Sequence, residues 1–537
     1  MNSGFSPFKG YFMKTIIVCD AIHNIGFEIL GKEKDIKVID ASSVEKDELL
    51  GMLGDADVAI TRSPTPVDEK FLNAGKNLKA VVRAGVGVDN CDIDACSKRG
   101  IILMNVPTAN TIAAVEMTMC HLINSARKYV NAANDLKINR TWKREKWYGV
   151  ELYKKTLGII GFGNIGSRVG VRALGFGMSV IAYDPYIDPS KATNVGVKYT
   201  TNFEDILACD FITIHTPKNK ETINMINEAE IARMKDGVRL INVARGGLYN
   251  EEALINNLKN GKIAYLGIDV FDKEPANNHP FLDFENVTAT AHLGANTLES
   301  QSNIAVEAAE AAINAARGIC YPNALNLPIR TENLPQEIEP YINLISKMAY
   351  FAAQINKGAI KAIKLEGSGK IVEYLNSMLI FAIVGALRDT TGDLINYVNA
   401  KFIADEKGIA TEANEIHSSS IKNKVRVKVI TDQDVATIEG TVFDENEGRI
   451  ININGFKTDF KPKGKMIVFK NTDVPGVIAN ISRILADAKI NIADFRLGRG
   501  EDGNALAVIL VDQDITKETL DKLGSLEACL MVQYAVL

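Results

Sequence analysis

The sequence predicts a multidomain α/β chain: two lobes built on parallel sheets, then an α+β domain, then a βαββαβ module of ferredoxin-like order. Three observations carry this. Residues 14 to about 330 alternate short β-branched runs with helical patterns, as βαβ units do. After Pro328 the texture changes, and VRVKVIT alternates as a half-buried strand does. The 537 residues leave room, at roughly 150 per domain, for about three to four domains.

In order, TIIVCD, IKVID, VAITR, LKAVVRAG and ILMNV read as the strands of the first lobe. LGIIGFG, SVIAYD, FITIHT, RLINVARG, YLGIDVF and VTATAHLG read as those of the second. One long helix, Ile112 to Leu136, separates the two groups, which predicts a cleft between lobes where parallel strand ends bind ligands. A helix from Asn333 to Asn356 follows, then LIFAIVGALRD, INYVNAKFIADEKGI and alternation from Val425 to Thr441. From Lys465 the order is MIVFK strand, NTDVPG turn, VIANISRILADAK helix, NIADFRLG strand, GEDGN turn, ALAVILV strand, then a helix and a strand.

Composition excludes several classes. Lys plus Arg is 61 against 66 Asp plus Glu, a net charge of −5, so neither a nucleic acid nor an anionic membrane is an expected partner. Gly is 41 and Pro 15, too few for long disordered tracts. The longest apolar run, Met378 to Leu387, is half of the roughly 20 residues a bilayer crossing needs. Residues 1–12 lack a charged segment followed by an apolar one, so no secretory signal is expected, and Met13 reads as a second start running into a strand. The seven cysteines, at 19, 91, 96, 120, 209, 320 and 529, hold no paired C-x-x-C sets for zinc. They read as reduced structural thiols, and no metal is expected; the location expected is the cytoplasm.

Gly161-Phe162-Gly163-Asn164-Ile165-Gly166 is a GxGxxG motif that follows a strand and opens a helix. The next strand ends in Asp184, 18 residues after the last glycine. That context marks a Rossmann-like dinucleotide site. Gly161 permits the tight turn, Gly163 lets the backbone approach a pyrophosphate and Gly166 permits close helix–strand packing. The Asp184 carboxylate suits ribose hydroxyls and repels a 2′-phosphate, so the expected cofactor is NAD.

Hydride abstraction from an alcohol needs a base near neutrality, which histidine supplies. Of six histidines, His292 stands out: it follows the strand VTATA and precedes LGAN. His215 also ends a strand, but Thr216-Pro217 after it reads as a cofactor-side loop. Arg245, in NVARGG, and Glu274, in DVFDKEP, lie after two further strands. Singly, Arg245 reads equally as a helix salt bridge and Glu274 as a solvated turn. Together they form a coherent site: the arginine forks a carboxylate and the glutamate orients the imidazole and raises its basicity.

GFGNIG with Asp184, then HTPKNKET, NVARGG, DVFDKEP and AHLGANTLES, stand in an order and spacing that resemble the D-isomer-specific 2-hydroxyacid dehydrogenase family. VRAGVGVDNCDIDACSKRGIILMNVPTANT and KTLGIIGFGNIGSRV resemble its phosphorylated-substrate branch. INYVNAKFIADEKGI and RIININGF resemble the intervening domain of that branch's long form, and NTDVPGVIANISRILADAKINIADFRLGR resembles an ACT regulatory domain.

The resemblance, over residues 14–537, implies a fold of Rossmann-like or flavodoxin-like lobes. Residues 1–110 with 300–330 would form a discontinuous substrate lobe, 111–299 the NAD lobe, 331–464 the intervening domain and 465–537 the ACT domain. It implies NAD-dependent oxidation of 3-phosphoglycerate on the way to serine, with His292 as acid/base, Glu274 as its partner and Arg245 as carboxylate anchor. Asn164 and Ile165 would contact the pyrophosphate and Asp184 the ribose. Val86, Thr216, Val243, Ala244, Asp269, Leu293, Gly294 and Ala295 would line the rest of the cofactor cleft. Arg62, Arg83 and Arg144, with the loop from Gly85, would hold the substrate, although Arg144 in WKREKW also reads as a solvated residue. Asn471, Asp473 and Asn491 would receive an amino-acid effector such as L-serine, and the chain would assemble as a homo-oligomer, a tetramer. Two other readings stay open here: another D-2-hydroxyacid dehydrogenase, such as a glyoxylate or hydroxypyruvate reductase, and an NAD-sensing protein without catalysis.

Overall fold

The computed structural model describes residues 13–329, 334–391, 394–417, 421, 423–443 and 447–537. The readings placed on residues 1–12 and on a helix start at Asn333 lie outside the described residues. The chain divides into two compact units. One comprises Met1–Pro66, Val81–Asn90 and Met104–Asn323; the other comprises Val67–Ala80, Cys91–Leu103 and Ala324–Leu537.

The first five strands are β1 (Lys14–Val18), β2 (Ile36–Asp40), β3 (Val58–Thr61), β4 (Ala80–Arg83) and β5 (Ile102–Asn105), in sheet order β2-β1-β3-β4-β5. β1 pairs in parallel with β2 and β3. Ile16, Ile17 and Val18 are fully buried, as are Val58, Ala59 and Ile60. Cover on both faces explains why these strands read as unbroken apolar runs instead of alternating ones.

The second sheet has seven strands: β6 (Thr156–Ile160), β7 (Ser179–Tyr183), β8 (Lys198–Thr200), β9 (Phe211–Ile214), β10 (Val238–Asn242), β11 (Ile263–Ile268) and β12 (Val287–Ala289). Their order is β12-β11-β10-β9-β6-β7-β8, with parallel pairing. The order reverses between β6 and β9, so the loops after these strands open the crevice in which α/β sheets bind ligands.

The helix expected over Ile112–Leu136 is two helices, Thr111–Arg127 and Tyr129–Lys137. The break is at Lys128, whose φ of +52° is left-handed. The buried Asn124 makes this turn possible: its carbonyl accepts from Lys128 N–H at 2.6 Å and its side chain from Val130 N–H at 2.8 Å. Helix Leu298–Arg317 starts at Thr297, whose side chain accepts from Ser300 N–H. Its buried face is largely alanine, and at Gly26 a side chain would meet Ala305 at 3.2 Å, so both partners must be small.

The third sheet comprises β13 (Ile360–Ser368), β14 (Ala410–Glu415), β15 (Lys424–Thr431), β16 (Val435–Phe443), β17 (Glu447–Ile453) and β18 (Phe456–Phe460), in order β14-β13-β15-β16-β17-β18. Helices Pro340–Ile355 and Leu375–Thr391 supply much of its core. The first starts at Pro340, which suits a first helical position because no N–H is needed there. Residues 369–391 are long and apolar enough to cross a membrane by length and composition. Met378, Phe381, Ala382, Ile383 and Leu387 are buried in the protein's own core.

The last four strands, β19 (Lys465–Thr472), β20 (Ile492–Arg499), β21 (Asn504–Val511) and β22 (Cys529–Val536), form an antiparallel sheet in order β20-β21-β19-β22. With helices Val477–Asp487 and Lys517–Gly524 this is the expected ferredoxin-like βαββαβ unit. β19 is buried on both faces. Met466 and Val468 join the core of the third sheet, whereas Ile467 and Phe469 join the helices of the fourth.

Candidate active site

Asp184 closes β7, and its carboxylate folds back on the glycine-rich turn. It accepts from Phe162 N–H and Tyr186 N–H, each at 2.9 Å. Gly161 has φ +87°, and a side chain there would strike the His215 carbonyl at 2.8 Å. At Gly166 a side chain would lie 2.1 Å from the Gly161 oxygen. Gly163 differs: a side chain there meets nothing within 4 Å, so its smallness serves no contact inside the protein. Gly163 is also the N-cap of helix Asn164–Gly175 and offers no side chain to its open N–H groups. An anion fits that place. Thr216 Oγ1 is buried without a partner among the described residues, a hydroxyl left for a ligand on the other side of the crevice. These features fit a dinucleotide cofactor. Val86, Val243 and Ala244 lie on loops of the same unit, and the Asn105 side chain holds the Val86 carbonyl at 2.7 Å.

His215 follows β9. Burial pushes its imidazole down to about 3, so it stays neutral. Its Nε2 meets Thr213 Oγ1 at 3.1 Å.

His292 lies just beyond β12. Its Nδ1 pairs with Glu274 Oε2 at 2.8 Å, which leaves Nε2 for a substrate. Glu274 Oε1 accepts from Phe271 N–H at 3.0 Å. Burial raises the Glu274 carboxyl. The hydrogen bonds from His292 and Phe271 and the charges of His292 and Arg245 outweigh it, holding the group below its ordinary range and ionised at neutral pH.

Arg245 follows β10. The buried Asn242 fixes its turn, donating to the Arg245 carbonyl at 2.8 Å and accepting from Ala244 N–H at 2.9 Å. A side chain at Gly246 would lie 1.9 Å from the Phe271 oxygen, so glycine lets the arginine turn abut the turn that carries Glu274. The guanidinium lies against Gly87, and its Nε meets Asp89 at 3.0 Å.

Arg62 and Arg83 flank the same loop. Arg62 donates to Gln301 at 2.9 Å and to the Ala21 carbonyl at 2.9 Å. Gln301 in turn donates to the Ala295 carbonyl at 2.9 Å, tying Arg62 to the segment after His292. Arg83 donates to Ser63 Oγ at 2.7 Å, and its guanidinium crowds Gly85. Arg144 is exposed on the short turn Arg144–Trp147.

Sequence reasoning missed Asp89, Asn242 and Gln301, whose roles come from pairings remote along the chain. It also missed Asn90, which donates to the carbonyls of Arg62 and Thr65 at 2.9 Å each. Asp269, expected along the cofactor cleft, is fully buried, and its carboxylate accepts from the backbone of Leu293 and Gly294.

In the last sheet a cavity of about 320 Å³ is lined by Asn471, Asp473, Gly476, Phe495, Leu497 and Arg499. Asp473 pairs with Arg499 at 3.0 Å. Asn491 is not among the lining residues; its side chain donates to Asp512 at 2.6 Å.

Residues 119–294 match the family described as D-isomer specific 2-hydroxyacid dehydrogenase, NAD binding domain. Residues 337–454 match the D-3-phosphoglycerate dehydrogenase intervening domain, and 465–528 the ACT domain. The chain is 37% identical to the D-3-phosphoglycerate dehydrogenase of Bacillus subtilis, over 93% of this chain and 94% of that one. It is 35% identical to that of Methanocaldococcus jannaschii, over 95% and 97%. The D-lactate dehydrogenase of Aquifex aeolicus, solved with NAD and lactic acid, aligns with TM-score 0.51 and 29% identity, over 57% of this chain and 96% of that one. The TT0316 protein of Thermus thermophilus aligns with TM-score 0.53 and 29% identity, over 58% and 99%.

Proposed function

We propose, on the premise that the chain belongs to the D-3-phosphoglycerate dehydrogenases of the D-isomer-specific 2-hydroxyacid dehydrogenase family, that Arg245, Glu274 and His292 carry the family's reaction here. That reaction is the NAD-dependent oxidation of D-3-phosphoglycerate to 3-phosphohydroxypyruvate, the entry to serine synthesis. The single observation behind the assignment is the contact of 2.8 Å between His292 Nδ1 and the ionised Glu274.

Arg245 forks the substrate carboxylate. His292 Nε2 takes the proton of the C2 hydroxyl as the C2–H bond breaks and the carbonyl forms. The Glu274 carboxylate stabilises the resulting imidazolium and holds the ring in place. NAD, when bound, accepts the hydride. Gly161, Gly163, Asn164, Ile165 and Gly166 would hold its pyrophosphate and Asp184 its ribose. Val86, Thr216, Val243, Ala244 and the backbone of Leu293 to Ala295 would line the rest of its seat.

Arg62 and Arg83 are assigned to the C3 phosphate, supported by the Arg83 guanidinium lying against Gly85 and by Asn90, which holds the Arg62 carbonyl at 2.9 Å. Arg62→Ala is expected to raise KM for 3-phosphoglycerate by roughly 10- to 100-fold while leaving KM for unphosphorylated 2-hydroxy acids nearly unchanged. Equal rises for both substrates would refute the phosphate role.

The chain is proposed to form a homo-oligomer, a tetramer, and Arg144, assigned with Arg62 and Arg83 to the substrate, lies on the surface proposed to join the copies. Support comes from apolar side chains exposed around it: Tyr129, Ile138, Trp142 and Tyr148 are each 69–77% exposed. Patches of this kind mark protein interfaces. Light scattering should give a multiple of the chain mass, and Ile138→Glu with Trp142→Glu should reduce it. A monomeric parent chain would refute the assembly.

The cavity beside Asp473 is assigned to an amino-acid effector, L-serine, with Asp473 facing its ammonium and Arg499 its carboxylate. Serine should lower the initial rate saturably, and Asp473→Ala should abolish the effect. Unchanged rates at millimolar serine would rule serine out. A cytoplasmic location is the reading supported by the free thiols of Cys19, Cys96, Cys120, Cys209, Cys320 and Cys529.

A further inference from the structure

Three consecutive backbone N–H groups, those of His292, Leu293 and Gly294, all end on Asp269. They meet its carbonyl at 2.9 Å, Oδ1 at 2.7 Å and Oδ2 at 2.8 Å. His292 needs such a clamp, because its φ of +54° is left-handed, a conformation that non-glycine residues hold only when their surroundings impose it.

The clamp has a fourth bond. Thr290 donates its hydroxyl proton to Asp269 Oδ1 at 2.6 Å. Thr290 therefore has only lone pairs to offer its other neighbour, His121 Nε2, at 3.0 Å. His121 must then be the Nε2–H tautomer, which leaves Nδ1 bare. Nδ1 is indeed the atom that finds no partner among the described residues. Burial lowers the basicity of this imidazole, against the pull of the Asp269 charge, and favours the neutral form that the bonding requires. His121 is 3% exposed, on helix Thr111–Arg127. The facing position on β11 is Gly267, where a side chain would lie 2.9 Å from His121 Cβ. The strand therefore makes room for an imidazole on a helix face where an apolar residue would avoid an orphaned nitrogen.

We infer that His121 is a positioning residue for the dehydrogenase reaction: by donating to Thr290 it fixes the hydroxyl that completes the Asp269 clamp, and so holds the strained His292–Gly294 segment in its working conformation. The inference rests on His292 being the acid/base. A purely structural histidine would affect stability alone.

The full-length chain provides the test, with kcat, KM and melting temperature measured for His121→Leu, His121→Gln, Thr290→Val and His121→Leu/Thr290→Val. Leucine fills the volume without a donor, whereas glutamine keeps an N–H. His121→Leu and Thr290→Val should each lower kcat by roughly tenfold with KM for 3-phosphoglycerate nearly unchanged, because misplacement of the base acts on the chemical step. The double variant should be no slower than Thr290→Val alone, because that change already removes the hydroxyl to which His121 donates. His121→Gln should restore kcat to within about threefold of the parent. The inference is overturned if Thr290→Val or a folded His121→Leu keeps parental kcat, or if His121→Gln is as slow as the leucine variant. Should the leucine variant not fold, the valine and glutamine variants decide. His292→Ala, run alongside, separates the two levels: parental turnover there removes the acid/base premise itself, whereas a slow His292→Ala beside a fast Thr290→Val sinks only the role of His121.

Discussion

His292→Ala is expected to lower kcat by about 10²- to 10⁴-fold with NAD affinity nearly intact, the span that a positioned acid/base contributes. The alanine chain keeps the glycine-rich turn, Asp184 and Arg245, so both ligands still bind. On the proposed role, what disappears is the acceptor for the hydroxyl proton, and without it the hydride would have to leave C2 while the oxygen keeps its proton. Glu274→Gln should fall between parent and His292→Ala. The amide still occupies the place 2.8 Å from Nδ1, but the charge that stabilises the imidazolium is gone. Because the Glu274 carboxyl lies below its ordinary range, its charge is present throughout neutral pH. The interactions that depress it are therefore fully in force above its unfolded value and are lost as pH falls through the lower folded value. Single-turnover absorbance at the NADH band is the measurement. Turnover close to that of the parent in His292→Ala would remove the residue from the chemistry.

The parts of this site that were legible in the sequence share a property: each is announced by its own neighbourhood. The GxGxxG turn sits between a strand and a helix, and Arg245, Glu274 and His292 each follow a strand, so local pattern suffices. Parallel strands buried on both faces give apolar runs that stand out for the same reason, as in Ile16–Val18 and Val58–Ile60. Other features depend on residues far apart along the chain. Asp89 meets Arg245 across 156 positions, and Gln301 meets Arg62 across 239. Neither leaves a trace in composition or periodicity. β8 is three residues long, too short for alternation to show. The break at Lys128 was hidden because left-handed turns advertise themselves through glycine, and here a lysine takes that conformation under bonds from Asn124. His121 sits on a helix face of otherwise mostly apolar residues, and only its contact with Thr290 across 169 positions sets it apart.

Arg245→Lys is expected to lower kcat/KM by roughly 100-fold, about 3 kcal/mol, because a point charge cannot reproduce a two-pronged contact with a carboxylate. Lysine keeps the charge, so a small effect would mean that Arg245 supplies only long-range attraction. Geometry argues otherwise. Asn242 fixes the Arg245 turn from both sides, and Gly87 and Gly246 clear the space around the guanidinium and its backbone, so the fork is preorganised. The contact between Arg245 Nε and Asp89 at 3.0 Å raises the question of whether this anchor is already spent. The Asp89 side chain is 55% exposed, and ion pairs that open to solvent contribute at most about 1 kcal/mol. Exchange for a substrate carboxylate held by two parallel bonds is therefore favourable. It follows that Asp89→Asn should change KM for 3-phosphoglycerate by less than about fivefold while Arg245→Lys remains severe. A large loss in Asp89→Asn would instead assign the aspartate a share in aiming the guanidinium, and the two variants together would then fall short of additivity. Steady-state kinetics on the two single variants and the double one settles which side chain sets the carboxylate's position.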